Sequence, residues 1–273
     1  MDENLLEHAE SELAGWAHPA ARLREAIEKN EFALYCQPIR ALSGEAGYPM
    51  AEILVRMREE ERALLPPGEF LPVLEHFRMM PLLDRWVVKN VLQHVARGSR
   101  IPCFTVNLSS QSLEDPEFIR FVDVELAAHD VSPDALSFEI DEIDTLQRQP
   151  ATEAFAGAYR ALGGRILVDG FGRRSVSFRA LKEIKVHFVK VDGSITRKLL
   201  VSEVARSKLS AILRIGEAIG YTTVAECVEE QDILTRLKAL GVAYAQGFGI
   251  YQPQAIEKFA RKAGEEKLAA EKP

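Results

Sequence analysis

Several polar side chains stand out because each falls at or near the end of a short apolar run. Glu52 lies in the run 49–57, Asn107 near the end of CFTVNL (103–108), and Glu139 near the end of ALSFEI (135–140). Asp169 closes RILVD, Lys190 and Asp192 close HFVKVD (187–192), Glu226 ends TTVAE (222–226) and Gln246 follows AYA (243–245). A charged residue at one strand end only marks where the chain leaves the core. So many in succession imply a common mouth. Carboxylates gathered there repel one another, and their pKa values rise unless countercharge is supplied. One lysine cannot supply it, whereas hard divalent cations can. Carboxylate and amide oxygens, with no His or Cys in the set, suit Mg²⁺ or Mn²⁺ rather than zinc. Two such ions a few ångströms apart are the usual device for opening a phosphodiester. The residue types alone therefore point to metal-assisted hydrolysis of a phosphate ester.

The elements that must carry these residues alternate. Strands are expected at 33–40, 49–57, 103–108, 135–140, 165–170, 187–192, 222–226 and 243–248. Helices are expected at 66–77, 82–96, 115–128, 151–162, 175–183, 202–219 and 229–239, several stopped by glycine. A leading helix over 2–29, interrupted near His18-Pro19, and a polar C-terminal helix over 254–270 flank them. The strand runs are apolar without strict alternation, the mark of strands buried on both faces. Repeated strand–helix units imply a parallel sheet. About eight strands, no internal linker and no GxGxxG or GxxxxGK[ST] loop favour one (β/α)₈ barrel over a doubly wound sheet. In such a barrel the C-terminal strand ends converge on one mouth, where active sites sit.

The 273-residue length suits one barrel of this size. Hydrophobic residues make up 47% and the formal charge is −7, which disfavours polymeric nucleic acid as a partner. Cys36, Cys103 and Cys227 have no metal-ligand spacing, and each sits in an apolar stretch that reads as a small buried thiol. An odd cysteine count fits a reducing cytoplasm. The acidic start lacks the apolar core of a secretory signal, and no run is long enough to span a membrane.

The order of short motifs resembles the EAL domain, a bacterial cyclic di-GMP phosphodiesterase family. The likeness runs through QPI (37–39), AEILVRM (51–57), PPGEFLPVLE (66–75), VNLS (106–109) and FEIDE (138–142). It continues through VDGFG (168–172), VKVD (189–192), AECVEE (225–230) and AQGF (245–248). The resemblance implies a TIM-like (β/α)₈ barrel over residues 31–258. An N-terminal helical extension (1–30) would precede it and a polar C-terminal helix end (259–273) follow. It implies Glu52, Asn107, Glu139 and Asp169 as metal ligands for Mg²⁺ or Mn²⁺. Lys190, Glu226 and Gln246 are implied as catalytic, with Glu226 as general base. Gln37, Arg56 and Glu229 are implied at the ligand, and Glu142 as the anchor of the loop after the Asp169 strand. A homodimer is the family tendency.

Two departures matter. Ile53 replaces the family alanine beside Glu52 and should point outward, with little effect. The family also carries two consecutive aspartates before Phe-Gly, both touching metal, where this chain has Asp169-Gly170. The following loop reads Arg173-Arg174-Ser175-Val176-Ser177 instead of the family's Thr-Gly-Tyr-Ser-Ser. With one metal-bridging carboxylate gone, one cation rather than two is expected, and Arg173 or Arg174 becomes a candidate contact to a ligand phosphate. Three readings follow: a phosphodiesterase of reduced turnover yielding pGpG, a cyclic di-GMP receptor without turnover, and an interaction module that no longer binds nucleotide.

Overall fold

The computed structural model describes Trp16 and residues 18–44, 47–59, 62–173 and 178–261. Ten strands form one sheet: β1 (Phe32–Ala41), β2 (Met50–Glu59), β3 (Arg62–Leu65), β4 (Cys103–Asn107), β5 (Leu136–Asp141), β6 (Arg165–Phe171), β7 (Phe188–Val191), β8 (Thr222–Ala225), β9 (Tyr244–Ala245) and β10 (Gln254–Ala255). Strands β2 and β4 to β9 pair in parallel, and β1 closes the ring between β9 and β2. The result is an eight-stranded TIM-like barrel clothed in helices, with β3 and β10 as short additions at β2 and β1.

One strand departs from the parallel sheet expected from strand–helix alternation. β1 runs antiparallel to both neighbours. Only eight residues lie between Ala41 and Met50, among them Gly44, whose positive φ of 75° suits glycine, and so short a link joins only antiparallel strands. The C-terminal expectation also fails where the chain is described. Residues 254–255 pair with β1, and Ile256–Phe259 make a single 3₁₀ turn that buries Ile256 and Phe259. Pro253 lies just ahead of this pairing, and burial of those two apolar side chains outweighs the helical tendency of the polar run after them. Residues 262–273, the leading stretch 1–15 and loop positions 174–177 lie outside the described residues. The described part of the leading helix starts at the proline, Pro19–Glu28.

The interior is ordered by the two-residue pleat. Ile39, Met50, Cys103 and Val224 form a separate apolar cluster with Phe188 and Tyr244 against it. One pleat period further toward the C-terminal ends stand Glu52, Thr105 and Lys190 on the same strands, with Glu226 and Gln246 just past the ends of β8 and β9. The outward-facing residues, Ile53 among them as expected, join the main core beneath the helices. Thus the barrel has an apolar floor and a charged layer above it. Among the described residues no helix is long and apolar enough to cross a membrane.

At the mouth, the segment after β9 lies backbone to backbone on the segment after β8. A methyl group on Gly247 would stand 2.2 Å from the backbone N and O of Val228. Gly247→Ala is therefore expected to push these segments apart and cost about 1–3 kcal/mol, read as a lowered urea midpoint; an unchanged midpoint would contradict this close approach.

Candidate active site

The strand ends bring their polar residues together as their spacing suggests. Lys190, on β7, has a side chain only 1% exposed, and its ammonium is the focus of the mouth. Its Nζ donates to Glu52 Oε2 at 2.9 Å and Glu139 Oε2 at 2.8 Å. It pairs with Glu226 Oε1 at 3.2 Å and Asp169 Oδ1 at 3.4 Å. Gln246 Nε2 donates to Glu52 Oε2 at 2.7 Å and to Gln37 Oε1 at 3.1 Å, and Gln37 Nε2 in turn reaches Tyr251 O at 2.9 Å. Asn107 Nδ2 donates to Glu52 Oε1 at 3.2 Å, and Thr105 Oγ1 donates to Glu139 Oε1.

Four carboxylates around one ammonium leave an excess of negative charge. Burial pushes the Glu139 carboxyl up to about 8 and the Glu226 carboxyl up to about 7, against the pull of Lys190. Burial opposes the charge on Lys190 too, but its carboxylate partners hold it well above the ordinary lysine range. Burial also works against the Asp169 carboxylate, yet Lys190 and a hydrogen bond with Glu226 keep it below the usual value.

Among the described residues no three His, Cys, Asp or Glu side chains stand at metal-ligand spacing, and the Lys190 ammonium lies between the carboxylates. The donors nevertheless fit one hard cation. They are carboxylate and amide oxygens, and the buried Asp169 Oδ1 makes no hydrogen bond beyond its 3.4 Å ion pair with Lys190. A second cation does not fit as well. Gly170 offers no side chain, and the Arg173 guanidinium lies against it.

Gln37, Glu52, Glu226, Glu229 and Gln246 line a groove of about 260 Å³ together with Phe248. Arg56 is half-buried and donates Nη1 to Val55 O at 2.9 Å; among the described residues it hydrogen-bonds to none of the cluster's side chains. Glu142 Oε1 accepts from Gly172 N at 3.2 Å, tying the helix Glu142–Gln147 to the loop after β6. Asp192 accepts from Ser194 N and from Arg173 rather than joining the cluster. Cys227 is only partly buried and lines the groove, unlike the fully buried Cys36 and Cys103; the turn after β8 holds it at the rim. Sequence reading missed Thr105 and Arg197. Thr105 shares the inward parity of Cys103 and Asn107, a signal that could have found it. Arg197 reaches the groove from just beyond the short helix Gly193–Thr196, and no periodicity marks it.

The turn after Asn107 is pinned from outside the barrel. Asp84, on the helix Met80–Ala96, accepts from Ser109 Oγ at 2.5 Å and Ser109 N at 3.2 Å, while Ser109 Oγ accepts from Ser112 N at 3.2 Å. Burial pushes the Asp84 carboxyl up to about 6, with the serine hydrogen bonds opposing.

The family model described as EAL domain matches residues 20–253. Cyclic di-GMP phosphodiesterase PdeB of Shewanella oneidensis is 31% identical over 246 residues, 89% of this chain and 29% of that protein. Cyclic di-GMP phosphodiesterase PdeF of Escherichia coli is 31% identical over 238 residues, 86% of this chain and 32% of that protein. The chain thus spans under a third of the length of these relatives. The FimX EAL domain from Pseudomonas aeruginosa bound to c-di-GMP superposes with a TM-score of 0.82 at 28% identity, covering 87% of this chain and 97% of that one. The PaMucR phosphodiesterase in its c-di-GMP complex gives 0.81 at 26%, covering 88% and 98%.

Asp84 yields a pH test that is separate from the mouth. Its folded pKa of about 6 exceeds the ordinary unfolded value of about 3.9. The folded state therefore binds the proton more tightly, and stability from this group falls as pH rises from about 4 to about 6. Asp84→Asn is expected to flatten that part of the stability profile in urea unfolding at stepped pH, and an unaltered slope would contradict it.

Proposed function

Because the chain belongs to the EAL domain family, we propose that its barrel mouth binds cyclic di-GMP and, with a divalent cation, hydrolyses it to linear pGpG at a rate lowered by glycine at position 170. The observation that carries this reading is the convergence of Glu52, Glu139, Asp169 and Glu226 on buried Lys190, with Asn107 and Gln246 on Glu52. The names of the relatives and the ligands of the solved neighbours support the same chemistry.

Glu52, Asn107, Glu139 and Asp169 would hold the Mg²⁺ or Mn²⁺. A cation there supplies Lewis acidity and countercharge to a phosphate. Glu226, with a carboxyl pushed up to about 7 by burial, is suited to take a proton from an attacking water near neutral pH. Lys190 donates toward a phosphate oxygen. Gln246, fixed by Glu52 and Gln37, orients the water. Arg56 offers a guanidinium to a second phosphate, and Gln37 and Glu229 line the groove that receives the ligand. Glu142 holds the loop after β6 through Gly172 N. The functional unit in this reading is the barrel of residues 31–258, acting in the cytoplasm as a homodimer.

A second reading is a receptor that binds the dinucleotide without turnover, favoured by the missing carboxylate at Gly170. A module that has lost nucleotide binding is disfavoured, since buried carboxylates without a use cost stability.

Chromatographic detection of pGpG with Mg²⁺, Mn²⁺ or Ca²⁺, beside a calorimetric binding titration, decides among the three. Binding in all three ions with slow product formation in Mg²⁺ or Mn²⁺ is expected. Glu226→Gln should cut turnover by about 10²-fold or more while binding persists. Binding without product in any ion would establish the receptor, and absence of binding would leave only the interaction module.

A further inference from the structure

The end of β6 is built differently from its neighbours. Val168 pairs with Val189 and Phe171 with Val191, so β6 carries one more residue than β7 over the same span. This is a β-bulge, a device that re-aims side chains beside sites. The bulge contains Asp169 and Gly170, and Gly170 has a φ of +66°. Gly170 O accepts from Arg173 N at 3.3 Å, and the tight turn brings Arg173 back over the glycine. Arg173 Nε donates to Asp192 Oδ2 at 2.8 Å, and Asp192 is itself fixed by Ser194 N at 2.9 Å. A methyl group placed on Gly170 would lie 2.9 Å from Arg173 Nη2 and 3.3 Å from its Cζ. The guanidinium therefore fills the space that a side chain at 170 would enter. Asp192, Asp141 and Asp169 all act on its charge, the hydrogen bond it donates to Asp192 most strongly.

We propose that Arg173 is a built-in monovalent cation standing in for the second divalent one: the mouth takes a single metal ion, and the guanidinium takes a phosphate oxygen of the bound dinucleotide. The two arrangements differ in chemistry. A guanidinium is planar, always charged and matched to phosphate oxygens. It contributes countercharge and orientation but does not activate water as a divalent ion does. Binding is thus kept while the nucleophile is poorly served. Only the phosphate half of this inference rests on the cyclic di-GMP reading; the cation half stands on the β6 bulge alone.

Three variants test it: Arg173→Gln, Arg173→Lys, and Gly170→Asp combined with Arg173→Gln. Arg173 is half exposed, so its replacement leaves the core untouched, and circular dichroism melts check folding. Aspartate at positive φ is already accommodated in this chain, at Asp130 with φ 52°. Mn²⁺ stoichiometry and affinity are read by electron paramagnetic resonance titration, and cyclic di-GMP affinity by calorimetry in Ca²⁺.

Wild type is expected to bind one Mn²⁺ per chain and the double variant two. Arg173→Gln should bind its Mn²⁺ several-fold more tightly, because a repelling charge is gone, yet bind cyclic di-GMP about tenfold more weakly. Arg173→Lys should retain the single Mn²⁺ and lose less nucleotide affinity than the glutamine variant. The opposite signs are diagnostic, since a merely structural role would weaken both. Two Mn²⁺ in wild type, one in the folded double variant, or unchanged nucleotide affinity in Arg173→Gln overturns the proposal. A wild type that takes one Mn²⁺ but no cyclic di-GMP would sink the nucleotide reading and leave the cation half standing.

Discussion

The structure turns on one buried ammonium. Lys190 sits in the middle of a barrel whose floor is apolar and whose next layer is acidic. Placing a lysine there is costly by burial alone, and so is placing Glu139, whose side chain is 0% exposed. Each is tolerable because of the other. Such buried pairs add little net stability, but breaking one leaves an uncompensated charge. The arrangement fixes strand register, because a one-residue slip of β7 would turn Lys190 outward and Val189 or Val191 inward. The carboxylates of β2, β5, β6 and the turn after β8 are thereby held within reach of a single point. A hard cation entering this layer would meet preassembled oxygens, and the excess negative charge, which adds to burial in lifting Glu139 and Glu226, is the electrostatic reason for it to enter.

Around that point the supports are local and cheap. A bulge aims Asp169, a carboxylate from the helix Glu142–Gln147 holds the next turn, and a serine bonded to Asp84 holds the turn after Asn107. Each device positions a site residue without placing a side chain in the mouth. The bulge explains why glycine is comfortable at 170, and the turn that follows explains why an arginine three residues on can occupy the vacant volume.

Much of this was legible in the sequence. The polar set falls at or near the ends of apolar strands, so Glu52, Asn107, Glu139, Asp169, Lys190, Glu226 and Gln246 are assigned to one mouth by sequence position alone. The loss of a carboxylate at Gly170 was equally plain against the family pattern. What was not legible depends on closure in three dimensions. The antiparallel run of β1 is set by a short turn and by which neighbours β1 meets, not by its own composition. The Arg173–Asp192 pair and the short strand at 254–255 involve partners that no local period announces. The thiol of Cys227 was read as buried because its neighbours are apolar, whereas the turn after β8 carries it to the rim.

The reversed direction of β1 bears on how this barrel is wired to whatever precedes it in the chain. Its seven companions deliver their C-terminal ends to the mouth, but β1 starts there: Phe32 pairs with Met57, beyond Glu52, and Glu31 O accepts from Arg58 N. The helix Pro19–Glu28 therefore feeds the barrel at the working rim rather than at the floor. From its end, five residues of strand lead to Gln37, and two hydrogen bonds, through Gln246, lead on to Glu52. The covalent path from that helix to the acidic layer therefore runs down β1 and never crosses the apolar floor, so the polypeptide itself is the shortest link between them.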